Sequence, residues 1–167
     1  MNATPEAFVA AMRLLPAGVT IVTSGPVGRR NGFTATAVCS VAADPPHLLV
    51  CANRGMETHG TILETGHFAV NVLSLGQEAL ADRFGGRLGI DGEARFQAAD
   101  WHTLASGAPI LVSACAAFDC RVTQRLTVAT HDVIIGRVLA ATDREAAAPL
   151  AYLDRDYAFC VPAGGRY

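Results

Sequence analysis

Residues 32–41 read Gly-Phe-Thr-Ala-Thr-Ala-Val-Cys-Ser-Val, and Asp44-Pro45-Pro46 follow as a rigid turn. Phe33 to Ala42 is expected as one strand, unusually rich in small and hydroxyl side chains. Strict alternation sends Thr34, Thr36, Val38 and Ser40 to one face, and Phe33, Ala35, Ala37, Cys39 and Val41 to the other. Two readings fit this pattern. One is a solvated edge strand with hydroxyls on its wet face. The other is a strand whose small side chains let a flat ligand lie against the backbone, with hydroxyls and amides bonding its polar edge.

Working outward, the flanking segments are also β-like. Val19 to Thr23 is β-branched throughout and joins the quoted stretch by a Gly/Pro/Arg loop from Gly25 to Gly32. Downstream strands are expected at Leu48–Ala52, Phe68–Leu73, Ile110–Val122, Thr127–Ala129, Val133–Ala140, Pro149–Leu153 and Tyr157–Val161. Helices are expected over residues 4–15, where Thr4 caps and Pro5 suits the first turn, over 56–64 and over 77–84. Residues 85–108 are glycine-rich and read as a long surface excursion. Strands follow one another without crossover helices, so the fold class is mainly β, an antiparallel barrel with a few peripheral helices.

The chain of 167 residues has the length of a single domain, 1–167. Hydrophobic residues are 51% and charged residues 17%, which excludes disorder and leaves apolar surface for an oligomer interface or a cofactor pocket. A formal net charge of -2 argues against nucleic-acid binding. All 13 basic residues are arginine. That excludes a Schiff base, a P-loop lysine and a lysine general base. Five scattered cysteines without CxxC, each in an apolar stretch, are expected as buried free thiols. There is no basic region followed by an apolar run at the N-terminus, and no apolar stretch near ~20 residues. The protein is therefore expected to be soluble and cytoplasmic, with no membrane span. No GxGxxG follows a strand, no GxSxG occurs, and the histidine spacing matches no metal site, so metal is expected to be none.

GFTATAVCSV with DPP soon after resembles the signature of the small flavin reductases of two-component monooxygenase systems. The hydroxyphenylacetate and pyrimidine-degradation reductase components are the nearest in pattern. Further matches fall in order: Leu49 to Asn53, Phe68 to Leu73, Arg83-Phe84-Gly85-Gly86, Phe118-Asp119-Cys120, Thr130-His131-Asp132 and Tyr152 to Tyr157. The resemblance spans residues 5–160. It implies a Greek-key, FMN-binding split barrel, usually a homodimer with flavin sites near the interface. It implies hydride transfer from NADH or NADPH to FMN or FAD, with reduced flavin passing by diffusion to a partner monooxygenase.

Carried over residue by residue, the resemblance puts Thr34, Ala35, Thr36, Ala37, Val38 and Ser40 along the isoalloxazine and ribityl chain. Ser40 and the loop of Asn53, Arg54 and Thr58 would reach the phosphate, near the start of a helix that favours anions. That loop reads Asn-Arg-Gly-Met-Glu-Thr rather than the Ser-rich form of relatives, and Glu57 is unhelpful beside a phosphate. Arg83 and Phe84 would close over the flavin, and His131 would face the nicotinamide as the catalytic residue. Asn71 is read as structural. Arg29-Arg30 is a clustered pair of the kind a 2′-phosphate needs. A flavin-binding electron carrier, or a reductase of ferric or other acceptors, is an alternative on the same barrel.

Overall fold

A computed structural model describes residues 2–144, 147–160 and 164 of the chain. The strands are β1 (Ala17–Gly18), β2 (Thr20–Ser24), β3 (Asn31–Ala35), β4 (Val38–Ala43), β5 (Pro46–Asn53), β6 (His67–Val72), β7 (Trp101–Thr103), β8 (Pro109–Leu111), β9 (Ala116–Val128), β10 (His131–Asp143), β11 (Leu150–Leu153) and β12 (Asp156–Phe159). The helices are α1 (Pro5–Met12), α2 (Glu57–Thr65) and α3 (Glu78–Phe84), with a 3-10 helix at Gly92–Ala98. The expected end of the last strand at Val161 lies outside the described residues.

The main sheet has seven strands in the order β3-β2-β6-β9-β10-β5-β4, and its pairings are antiparallel. The mainly β, antiparallel class with peripheral helices is thus observed. The expected single strand from Phe33 to Ala42 is not. It breaks at Thr36-Ala37, so β3 forms one edge of the sheet and β4 the other. The Val38 N–H donates to the Thr36 carbonyl at 3.0 Å, and the Cys51 N–H to the Ala37 carbonyl at 3.1 Å. Alternation along ten residues fails because each half answers to a different partner strand.

Two apolar clusters fill the fold. Val22, Phe33, Val50, Ile62, Phe68 and Ile134 belong to one; Ile21, Leu73, Phe84, Phe96, Ile110 and Leu150 belong to the other. Gly136, at a bulge in β10, is needed for close approach: a Cβ there would stand 2.6 Å from the Phe68 ring. The region 85–108 is more ordered than its glycines suggest. Trp101 stacks edge-on with Phe96 at 4.9 Å and tilts against Phe84 at 5.6 Å, anchoring the 3-10 helix. Aromatic pairs of this kind add about 0.5–1.5 kcal/mol beyond area burial. Asn71 is fully buried; its amide donates to the Ile21 carbonyl at 3.1 Å and accepts from the Leu111 N–H at 2.8 Å, a structural tie between strands. Of the cysteines, Cys115 and Cys120 are buried, but Cys39 and Cys160 are exposed and Cys51 half-buried, correcting the expectation of five buried thiols. Cys39 is exposed because its strand is a sheet edge.

Candidate functional site

The start of α2 supplies the first wall of a cleft. Met56 occupies the N-cap but offers no oxygen, so no side chain caps the helix. The first amides of an α-helix have no partner within the helix. Here Gly55, Met56, Glu57 and Thr58 line a cleft of about 420 Å³ together with Asn31, Phe33, Thr34, Phe84, Gly85, Gly86, Asp91, Gly92 and Arg95. An uncapped helix start is a setting for an anionic group, and Arg95, paired with Asp91 at 3.0 Å, lies on the same cleft. A volume of this size is within the usual ~300–1,000 Å³ of cofactor sites.

The opposite wall comes from α3 and the loop after it. Phe84 is buried against Phe96, with ring centroids 5.1 Å apart, and forms part of the cleft lining. Arg95 is held from behind: its guanidinium donates to the Gly32 carbonyl at 2.8 Å, the Ile90 carbonyl at 2.6 Å and Asp91 at 3.0 Å. The Thr34 hydroxyl donates to the Ala81 carbonyl at 2.5 Å, tying β3 to α3.

A second cleft of about 220 Å³ adjoins the first and shares Thr34 and Gly85 with it. Val19, Ala35, Thr36, Ala81, Asp82, Arg87, Tyr152 and Tyr157 complete its lining. Asp82 accepts from the Tyr157 hydroxyl at 2.8 Å and from Arg87 at 2.9 Å. Burial, followed by that bond to Asp82, pushes the Tyr157 phenol up to about 12. The Tyr152 hydroxyl, followed by the charge of Asp82, raises the Arg87 guanidinium further above its ordinary range.

Of the residues carried over by resemblance, Thr34, Thr58 and Phe84 meet in the larger cleft, and Ala35 and Thr36 in the smaller. Ala37, Val38 and Ser40 lie beyond the break, with Ala37 and Ser40 exposed and Val38 half-buried. Arg83 lines neither cleft; its guanidinium donates to the Arg95 and Ala94 carbonyls at 2.9 and 2.6 Å. Asn53 ends β5, and its side-chain oxygen accepts from the Gly55 N–H at 2.8 Å, shaping the loop into α2. Arg54 is exposed; its backbone N–H donates to the Thr130 carbonyl at 3.0 Å and its guanidinium to the Ala129 carbonyl at 3.4 Å. His131 pairs with Asn53 across the sheet, is exposed, and lies within 2.9 Å of the Thr130 hydroxyl through Nδ1. It lines neither cleft but stands beside the loop that does. Asn31 and Arg95 were missed by sequence reasoning, and nothing in their local pattern marks them; Met56 belongs to the loop expected at the phosphate and lines the cleft. Gly85-Gly86 was visible only as the end of the Arg83-Phe84-Gly85-Gly86 match.

Comparison with known proteins fits this geometry. The model of the flavin reductase like domain matches residues 12–160. An FMN reductase (NADH), RutF, of Klebsiella pneumoniae subsp. pneumoniae is 46% identical over 159 residues, covering 94% of this chain and 95% of that protein. The NADH:FAD oxidoreductase SgcE6 of Streptomyces globisporus, solved with NAD and FAD fragments, superposes with a TM-score of 0.85 at 28% identity, covering 98% of each chain. BorF, the flavin reductase component of a bacterial two-component tryptophan halogenase, does so with a TM-score of 0.85 at 29% identity, covering 93% of this chain and 98% of BorF. The chain belongs to the flavin reductase like domain family.

Proposed function

We propose that this protein is an NADH-dependent flavin reductase that delivers reduced FMN to a separate monooxygenase. The observation that carries the reading is the uncapped start of α2 facing Thr34 and Arg95 across the cleft. Bound there, a flavin would supply the two-electron acceptor and NADH the hydride. The first amides of α2 would orient the phosphate. Phe84 and Phe33 would exclude water from one side of the ligand. Thr34 to Ser40, Asn53, Arg54 and Thr58 are read as the rest of the cradle, and Arg83 as a brace behind it.

His131 is read as the residue on the nicotinamide side. Its Nδ1 engages Thr130, which leaves Nε2 as the outward atom. NADH rather than NADPH is supported by the arginine pair, since Arg29 is bonded to Glu64 at 3.0 Å and Arg30 to Glu93. FMN rather than FAD is supported by the FMN specificity in the name of the RutF relative.

The sheet is read as a Greek-key split barrel, because its two edges are consecutive strands joined only by Thr36-Ala37. A homodimer is supported by α1, which buries none of its residues, and by Leu126 and Val128, exposed by 64% and 52%. We place the enzyme in the cytoplasm, where NADH is available; among the described residues no helix is long and apolar enough to cross a membrane. Steady-state NADH oxidation with added FMN tests the reading. Activity with NADH and FMN supports it; flavin binding without NADH oxidation would favour an electron carrier instead.

A further inference from the structure

Beneath the loop at the cleft mouth lies a buried polar pair. His59 Nε2 and Asp132 Oδ2 are 2.7 Å apart, and the two residues are exposed by only 8% and 1%. The other carboxylate oxygen accepts from the Thr127 hydroxyl at 2.8 Å, and Arg125 Nη1 stands 3.7 Å from Oδ2. The His59 bond, followed by Thr127 and Arg125, holds the Asp132 carboxyl below its ordinary range against the opposing effect of burial.

The pair joins two pieces of the site. His59 is in the first turn of α2, directly after the residues Gly55 to Thr58 that line the cleft. Asp132 is in β10, directly after His131. Strand alternation turns Asp132 inward and His131 outward, so clamping one fixes the direction of the other. His131 is the first residue of its strand and follows a tight turn in which Ala129 has a φ of +50°. Strand ends of this kind fray unless tied down. A buried polar pair is weak evidence for stability, because apolar residues of similar size often replace such a pair without loss. Its position between two site loops is better explained by geometry.

We propose that His59 and Asp132 are positioning residues for His131: anchored to α2 through His59, Asp132 fixes the direction of its neighbour and so sets the approach of the nicotinamide, while the 53–58 loop keeps its own bonds from Gly55 to Asn53 and from Arg54 to Thr130 and with them the affinity for flavin. This rests on the reading of His131 given above. A misplacement of about 1 Å at reacting groups can cost on the order of 100-fold in rate.

The test is a double-mutant cycle on the intact protein: His131→Ala, Asp132→Ala and the double variant, each measured for single-turnover FMN reduction at saturating NADH and for FMN Kd. Asp132→Ala should slow reduction by about 10-fold or more while leaving FMN Kd within about 3-fold. On the His131→Ala background the same change should slow reduction by less than about 2-fold. Asp132→Asn, which keeps an oxygen for His59, should recover most of the rate. If Asp132→Ala does not fold, His59→Asn, too short to reach Asp132, runs the same cycle. Full additivity, an unchanged rate in Asp132→Ala, or a matching loss of FMN affinity would overturn the proposal. A wild-type rate in His131→Ala would sink the reading of His131 itself, and the coupling with it.

Discussion

Gly32 lies directly under the ring of Phe84: a Cβ at Gly32 would stand 2.8 Å from Phe84 Cε1 and 3.1 Å from the Val22 carbonyl. The first residue of the GFTATAVCSV stretch is glycine so that the aromatic wall of the cleft can close on β3. Gly32→Ala must displace the Phe84 ring, which lines the cleft. We expect a stability loss of about 1–3 kcal/mol and FMN affinity reduced by roughly 10-fold, since 1.4 kcal/mol of lost contact is tenfold in Kd. Thermal unfolding and fluorescence titration read the two effects separately.

Glu57 sets up a second test. It lies in the first turn of α2 and lines the larger cleft, where its charge opposes a phosphate. Glu57→Gln should tighten FMN by about 2–5-fold, in line with ~0.3–1 kcal/mol for a charge at a helix start. Riboflavin, which lacks the phosphate, should bind unchanged, and the FMN gain should shrink at high salt. Equal tightening of both ligands would place the phosphate elsewhere.

Much of the sheet was legible in the sequence because β-branched runs such as Val19 to Thr23 have few other uses. The break at Thr36-Ala37 was not, since the side-chain pattern continues smoothly while the backbone changes partner from β2 to β5. The β7–β8 pairing and the 3-10 helix were hidden by glycines that local reading assigns to loops. The site was legible only through the resemblance. His59 and Asp132 are 73 residues apart, and neither carries a local signal of the other. Arg95 likewise is held on the cleft by a long-range bond to Gly32, 63 residues away.

Alkaline stability follows from two raised groups. Burial and the Asp82 bond push Tyr157 up to about 12, and burial followed by the charge of Asp119 pushes Cys120 up to about 12. Their ordinary values are 10.0 and 9.0. In the unfolded chain they ionise near those values, whereas in the fold they keep their protons. The stability they contribute is therefore complete below the ordinary values and is lost as pH rises toward about 12. Tm should fall across that window, and Tyr157→Phe should flatten part of the slope. An identical slope in Tyr157→Phe would remove the phenol from the account.

The oligomeric state tests the exposed apolar surface. Leu126, exposed by 64%, lies near the turn end of β9, three residues before Ala129. Leu126→Asp should shift a homodimer toward monomer in sedimentation velocity at micromolar concentration. A wild-type chain that is already monomeric would contradict the dimer.

The most direct measurement is anaerobic stopped-flow mixing of the FMN-loaded protein with excess NADH, following the visible flavin absorbance. The account predicts single-exponential bleaching that saturates with NADH and is much slower with NADPH. Flavin that stays oxidised at saturating NADH would contradict the reductase reading.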